Sequence, residues 1–166
     1  AFGAFKGVSP GTWVEIYGSN LSATTGEWSG GDFNGTTAPT KLGGVTVTIA
    51  GKSAFIRYIS PGQVNVQAPD GIGTGPVQVV VTSQDVASDP VNITAYNTLP
   101  GLLQLGNGYV AAFQGSTIVG SPGFAPVKPG DTIVLYGIGF GPTNPLVPAG
   151  QITPAPASGQ NTITSA

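Results

Sequence analysis

A short motif occurs twice in this chain of 166 residues. The first copy, residues 8–18, reads Val-Ser-Pro-Gly-Thr-Trp-Val-Glu-Ile-Tyr-Gly, and the second, residues 127–137, reads Val-Lys-Pro-Gly-Asp-Thr-Ile-Val-Leu-Tyr-Gly. Pro-Gly is a turn signal, and the alternating apolar residues behind it are typical of a β-strand with one face toward a core. The repeat therefore predicts two copies of one β-domain.

The composition favours β-structure with many turns. The chain contains 27 Gly and 15 Pro, so no window keeps a helical spacing of apolar residues for long. Apolar residues make up 40% and charged residues only 7%, which indicates a folded core rather than a disordered polyelectrolyte. We therefore predict an all-β protein without long helices.

Short alternating segments separated by turn signals follow one another between residues 12 and 96. The clearest is residues 45–49, Val-Thr-Val-Thr-Ile, and residues 64–68 and 77–82 repeat the pattern. About seven such strands are typical of an immunoglobulin-like sandwich. We expect this sandwich to end near residue 98.

Three blocks of the first half, residues 8–21, 43–51 and 59–69, resemble the IPT/TIG immunoglobulin-like family. Residues 109–112 and 128–142 are similar to a narrower group, the acidobacterial C-terminal module of secreted and surface proteins. The resemblance implies an IPT/TIG β-sandwich in residues 1–98. It also implies that residues 99–166 form a bridge, a second and incomplete immunoglobulin-like unit, and a Pro-rich tail.

The second unit is expected to lack strands that this family would supply. The repeat predicts a strand over residues 132–136, with Ile133 and Leu135 facing inward, and prolines dominate the sequence that follows. A sandwich without its later strands would expose a core face and unpaired edges. Either the chain is a fragment of a longer polypeptide, or a neighbouring subunit donates the missing strand.

Several classes of function are excluded by the side chains that are rare or absent. Only five Lys and Arg, with a net charge of −2, argue against nucleic-acid binding. His and Cys are absent, which excludes His- or Cys-dependent nucleophiles and the metal sites that need them. No apolar run reaches the roughly 18 residues of a membrane span, so we expect no membrane insertion. The uncharged polar surface and the absence of Cys favour an extracellular or cell-surface location.

The seven acidic residues do not predict a catalytic or metal site. Glu27 and Asp32 are a pair beside aromatic residues, but solvated loop carboxylates are the commoner interpretation. Asp85 and Asp89 lack the spacing of a calcium-binding loop. We therefore expect no catalytic residue, no metal and no cofactor. Asn20, Asn34 and Asn92 each begin a formal glycosylation triplet.

A structural or adhesive module is the function that the sequence favours, in its specific form a self-assembling filament or surface-layer subunit. Its partner would be another copy of the chain or the parent polypeptide, completing the second unit. Phe2 and Phe5 belong either to an edge strand of the sandwich or to an arm that packs on a neighbour. The residues expected at such contacts are Phe2, Phe5, Trp13, Tyr17, Val134 and Tyr136.

A glycan-binding accessory domain of a secreted protein is the alternative. Its candidate stacking residues are Trp28, Phe33 and Tyr109. Trp28 lies in a long polar segment, residues 22–44, where an aromatic side chain either plugs the end of a sandwich or forms a platform for sugars.

Overall fold

The computed structural model describes residues 6–106, 108–153 and, as backbone only, 162–163. Within these residues every regular element is a strand except a single 3₁₀ turn at Gly30–Asp32. Phe2 and Phe5 lie outside the described residues. The architecture is an all-β, immunoglobulin-like sandwich, which confirms the fold class predicted from the alternating segments.

The N-terminal part, residues 6–98, contains eleven strands in chain order. They are β1 (Gly7–Val8), β2 (Trp13–Tyr17), β3 (Gly26–Glu27), β4 (Lys41–Leu42), β5 (Val45–Ile49), β6 (Lys52–Ser53), β7 (Phe55–Ile59), β8 (Gln63–Gln67), β9 (Gly75–Ser83), β10 (Val86–Ala87) and β11 (Val91–Ala95). One sheet has the order β1-β11-β9-β5-β4, with β10 added to β9 and β6 added to β5. The other sheet has the order β2-β8-β7-β3. Only β1 with β11 is a parallel pair among these strands.

The core lies between these two sheets. In β5 the residues Val45, Val47 and Ile49 are fully buried, and in β8 Val64 and Val66 are fully buried. All five belong to one apolar cluster, as period-two alternation requires when one face of each sheet is covered. Each such side chain contributes about 1.5–3 kcal/mol to the free energy of unfolding.

The C-terminal part, residues 99–153, is built from much shorter strands. They are β12 (Gly101–Leu102), β13 (Ala112–Gln114), β14 (Thr117–Ile118), β15 (Val134–Leu135), β16 (Gly137–Ile138) and β17 (Thr143–Asn144), to which β18 (Thr162–Ile163) pairs. They form the small sheets β14-β13-β15, β12-β16 and β17-β18. In the described residues none of these named strands forms a ladder with a named strand of the N-terminal part.

The prediction that Ile133 and Leu135 face inward is wrong. Their side chains are 39% and 51% exposed, whereas Val14 and Ile16, their counterparts in the first copy, pack against the core. The sequence pattern is the same, but in the first copy a second sheet covers the inward face. No described residue provides such a cover for β15, so the alternation does not lead to burial.

Residues 149–152, here called the returning segment, are bonded to the N-terminal part. The amide of Ala38 donates to the carbonyl oxygen of Gly150 at 2.7 Å, and the amide of Ile152 donates to the carbonyl oxygen of Thr36 at 2.9 Å. The backbone of residue 38 leads to Pro39, whose carbonyl oxygen accepts from Ile56 in β7 at 2.8 Å. The returning segment therefore lies at the edge of the four-stranded sheet.

Candidate binding surface on the four-stranded sheet

The outer face of the four-stranded sheet carries a dense set of aromatic and amide side chains. Because Val64 and Val66 are buried, their neighbours Gln63, Asn65 and Gln67 in β8 point away from the core. The outward residues of β2 lie opposite them in register, as do two aromatic residues of β7. These pairs are Trp13–Gln67, Glu15–Asn65, Tyr17–Gln63, Phe55–Gln67 and Tyr58–Asn65.

The returning segment covers one end of this face. Gln67 accepts a hydrogen bond from the amide of Gly150 through Oε1 at 2.8 Å and donates through Nε2 to the carbonyl oxygen of Gly11 at 3.0 Å. The ring of Phe55 lies directly against Gly150. The Gln67 amide is therefore engaged by backbone groups at both its oxygen and its nitrogen, which fixes its position at this end of the face.

Three aromatic rings occupy the next part of the face. The ring centroids of Trp13 and Trp28 are 5.8 Å apart at 74°, and those of Trp28 and Phe33 are 5.0 Å apart at 57°. Trp28 reaches this place because its amide donates to the carbonyl oxygen of Arg57 in β7 at 2.9 Å. Of the two alternatives for Trp28, the structure does not show the plug, since Trp28 packs on Trp13, which points away from the core.

Arg57 completes this aromatic cluster. Its guanidinium carbon lies 5.9 Å from the centre of the Trp13 ring, and its Nε donates to Glu27 Oε1 at 2.9 Å. Both side chains of that ion pair are about half exposed, at 49% and 52%, so its contribution to stability is small. The charge of Arg57 is nevertheless paired, so Arg57 does not give the face an uncompensated positive charge.

Glu27 and Asp32, the acid pair beside the aromatic residues, bind different partners. Asp32 Oδ2 accepts from the amide of Ser29 at 2.6 Å and from the Ser29 hydroxyl at 2.8 Å. The amide bond, and after it the hydroxyl bond, lowers the pKa of Asp32. Both acids are thus used to hold the loop: Glu27 through Arg57, and Asp32 through Ser29.

The far end of the face is open. The Tyr17 side chain is 66% exposed, and its hydroxyl donates to Glu15 Oε2 at 2.7 Å. Beside this pair, Gln63 Nε2 donates to Asn65 Oδ1 at 2.8 Å. The bond to the Glu15 carboxylate raises the pKa of Tyr17, helped by partial desolvation and by the charge of Glu15.

The other predicted contact residues lie in the C-terminal part. Val134 and Tyr136 are 49% and 52% exposed, and the Tyr136 ring packs edge-on against Phe113 with centroids 5.8 Å apart. Tyr109 lies in a hairpin whose two arms pair through Gln104 and Val110. Its ring lies beside Gly120. Tyr109 therefore belongs to the C-terminal part, whereas Trp28 and Phe33 lie on the sandwich.

The remaining candidates are surface features. Asn20, Asn34 and Asn92, which begin the glycosylation triplets, are all exposed. Within residues 6–106 and 108–153, no three acidic side chains come together in a way that would hold a metal ion. No helix in the described part of the chain is long and apolar enough to span a lipid bilayer.

Comparison with known families gives one match. A family model for the IPT/TIG domain matches residues 5–95, which is slightly more than half of the chain. The match ends at the last residue of β11, so it spans the sandwich and gives no support to the narrower resemblance of residues 109–142. Comparisons with curated proteins and with solved structures gave no match.

Proposed function

The chain belongs to the IPT/TIG domain family, and on that basis we propose that it is an adhesive or assembly module that works outside the cell. Domains of this type are typically non-catalytic interaction modules and are often extracellular. The low content of charged residues, 7%, and the absence of Cys support the same location. Since one fold carries many different functions, the specific role depends on the surface that the domain presents.

The observation that carries the proposal is a row of exposed apolar residues at β15. The four consecutive side chains Ile133, Val134, Leu135 and Tyr136 are 39%, 49%, 51% and 52% exposed. Contiguous apolar surface of this kind on a soluble module marks a contact site. Since successive side chains of a strand point to opposite faces, both faces of this strand are accessible, and a partner could cover the apolar side chains of either face.

Among the strands that the structure describes, β15 also has an unpaired edge. In the sheet β14-β13-β15, β15 is the outermost strand and pairs with β13 through Ala112 and Phe113. An edge strand with apolar side chains accepts an added strand from another chain. We assign this role to a neighbouring copy of the same chain, which makes the module a self-assembling subunit.

Sedimentation velocity over a series of protein concentrations tests the proposal. We expect the wild-type chain to form larger species as its concentration rises, and Val134→Glu to remain monomeric because a carboxylate cannot be buried in the contact without a partner. Val86→Glu is the matched control, since Val86 lies in β10 of the sandwich and is 73% exposed. It should assemble like the wild type.

Two results contradict self-assembly through β15. One is a wild-type chain that stays monomeric at all concentrations. The other is equal loss of assembly in Val134→Glu and Val86→Glu, which would place the contact elsewhere or indicate a general effect of added charge.

A further inference from the structure

We propose that the open end of the four-stranded sheet binds a neutral polysaccharide, through Tyr17, Glu15, Gln63, Asn65 and Tyr58. This site is separate from the β15 row, and it stands whether or not the chain assembles. It also uses side chains other than Trp28, Phe33 and Tyr109, the stacking candidates that the sequence suggested.

The side chains at this end match the two surfaces of a sugar ring. A sugar presents C–H groups on its faces, which pack on aromatic rings, and hydroxyl groups at its edge, which both donate and accept hydrogen bonds. Tyr17 is 66% exposed, so its ring is available for stacking. Around it lie the carboxylate of Glu15 and the amides of Gln63 and Asn65, which offer both acceptors and donors to hydroxyl groups.

The hydrogen bonds within the site hold these groups in place and leave capacity for a ligand. The Tyr17 hydroxyl uses one oxygen of Glu15, and the other carboxylate oxygen can accept from a ligand. The amide of Gln63 donates to Asn65 Oδ1, which leaves Asn65 Nδ2 as a donor. Such pre-positioned polar groups lower the entropic cost of binding.

The two tyrosines are spaced for a chain of sugars rather than for one. Tyr17 lies opposite Gln63, and Tyr58 lies opposite Asn65, on the two strands that flank β8. With strands about 4.8 Å apart and a rise of about 3.3 Å per residue, their Cα atoms are roughly 12 Å apart. A ligand that spans these two positions therefore extends over more than one sugar unit.

The charges on the face favour a neutral ligand. Glu15 is the carboxylate of the open end, and the nearby cation Arg57 is paired with Glu27 at 2.9 Å. A polyanion would bring negative charge toward Glu15 without gaining an unpaired cation. The open end therefore discriminates against acidic polysaccharides.

Trp28 and Phe33 do not take part in this site because their rings pack on one another. Trp28 lies between Trp13 and Phe33, with centroid distances of 5.8 Å and 5.0 Å, and all three rings are partly buried. Their role in the proposal is to fix the loop of residues 28–33 on the neighbouring part of the face, beside the open end.

Native affinity electrophoresis of the full chain tests the proposal. The gels contain one soluble polysaccharide each: galactomannan, xyloglucan, glucomannan or mixed-linkage glucan as neutral probes, and polygalacturonate as the acidic probe. We expect at least one neutral probe to retard the wild-type chain. Tyr17→Ala should weaken that binding at least tenfold, whereas Tyr17→Phe, which keeps the ring, should weaken it only a few-fold.

Tyr136→Ala is the matched control, since Tyr136 is a tyrosine of similar exposure, 52%, in the C-terminal part. It should bind the neutral probe like the wild type while assembling less readily. Tyr17→Ala should instead assemble like the wild type and bind the neutral probe weakly, so the two proposals fail separately.

The polysaccharide proposal is overturned if no neutral probe retards the chain, if only polygalacturonate does, or if Tyr17→Ala is retarded as strongly as the wild type. It is also overturned if Tyr17→Ala and Tyr136→Ala lose retardation equally.

Discussion

Gly150 packs directly on the ring of Phe55, so closely that a Cβ atom at position 150 would overlap three carbons of that ring. Its backbone also has φ +76°, a conformation that favours glycine. We expect Gly150→Ala to lower the free energy of unfolding by about 2–4 kcal/mol, from backbone strain and from the displaced ring. Urea denaturation followed by tryptophan fluorescence measures this change.

Gly73→Ala is the control for this substitution. Gly73 has φ +74°, but no atom lies within 4 Å of the position of its Cβ, so it carries the strain without the overlap. Gly73→Ala should lower the free energy of unfolding by only about 1 kcal/mol. Amide hydrogen exchange at Ala38, which donates to Gly150, should accelerate in Gly150→Ala and not in Gly73→Ala. Equal costs for the two substitutions would show that the Phe55 contact contributes little.

The packing of Trp28 between Trp13 and Phe33 leads to a second prediction. Trp28→Ala removes two ring contacts together with partly buried apolar surface, and should lower the free energy of unfolding by about 1–3 kcal/mol. Near-ultraviolet circular dichroism should lose intensity, because the only other tryptophan, Trp13, loses its neighbouring indole. Trp28→Phe is the milder comparison. It should retain more than half of the free energy of unfolding that Trp28→Ala loses. A Trp28→Ala variant as stable as the wild type would mean that the cluster does not anchor its loop.

Local sequence pattern was enough to predict the sandwich, but the contacts between distant segments were not predictable. The strand Val45–Ile49 was evident because alternation is a local property, and its apolar residues are buried as expected. The approach of Gly150 to Phe55 depends on a bridge between Thr37 and Gln151, which no local pattern encodes. The place of Trp28 likewise depends on the pairing of Glu27 with Tyr58.

The repeat was informative about strands and misleading about burial. Ile133 and Leu135 match Val14 and Ile16 in type and spacing, yet they are exposed because burial also needs a covering layer. The open end was missed for a related reason. Glu15, Gln63 and Asn65 are ordinary outward residues in the sequence, and only the register of β2 and β8 places them beside Tyr17.

The carboxylate of Asp32 leads to a prediction about low pH. Hydrogen bonds from the Ser29 amide and then from its hydroxyl stabilise the charged form, so the folded pKa lies below the ordinary value of 3.8. For a lowered pKa, the stabilising effect is complete above the unfolded value and is lost as the pH falls through the folded value. In an NMR titration, the Ser29 amide resonance should shift with a midpoint below 3.8. Asp32→Asn should abolish the transition, and a midpoint at or above the ordinary value would contradict the hydrogen-bond assignment.

The hydroxyl of Tyr17 leads to the opposite prediction at high pH. Its bond to Glu15 favours the protonated phenol, and partial desolvation and the nearby carboxylate charge add to the effect, so the pKa of Tyr17 lies above its ordinary value. For a raised pKa, the stabilising effect is complete below the unfolded value of about 10 and is lost as the pH rises through the folded value. Glu15→Gln removes the charge and weakens the hydrogen bond, and should therefore lower the pKa of Tyr17.

Tyrosinate absorbance measures this shift, with Tyr17→Phe identifying the contribution of Tyr17 among the five tyrosines. The difference curve between the wild type and Tyr17→Phe should have its midpoint above the ordinary value. In the Glu15→Gln background the same difference curve should move to lower pH. If the two difference curves coincide, Glu15 does not hold the Tyr17 hydroxyl in solution. The ring would then be free to turn away from Gln63 and Asn65, and the arrangement of the open end would depend on the ligand rather than precede it.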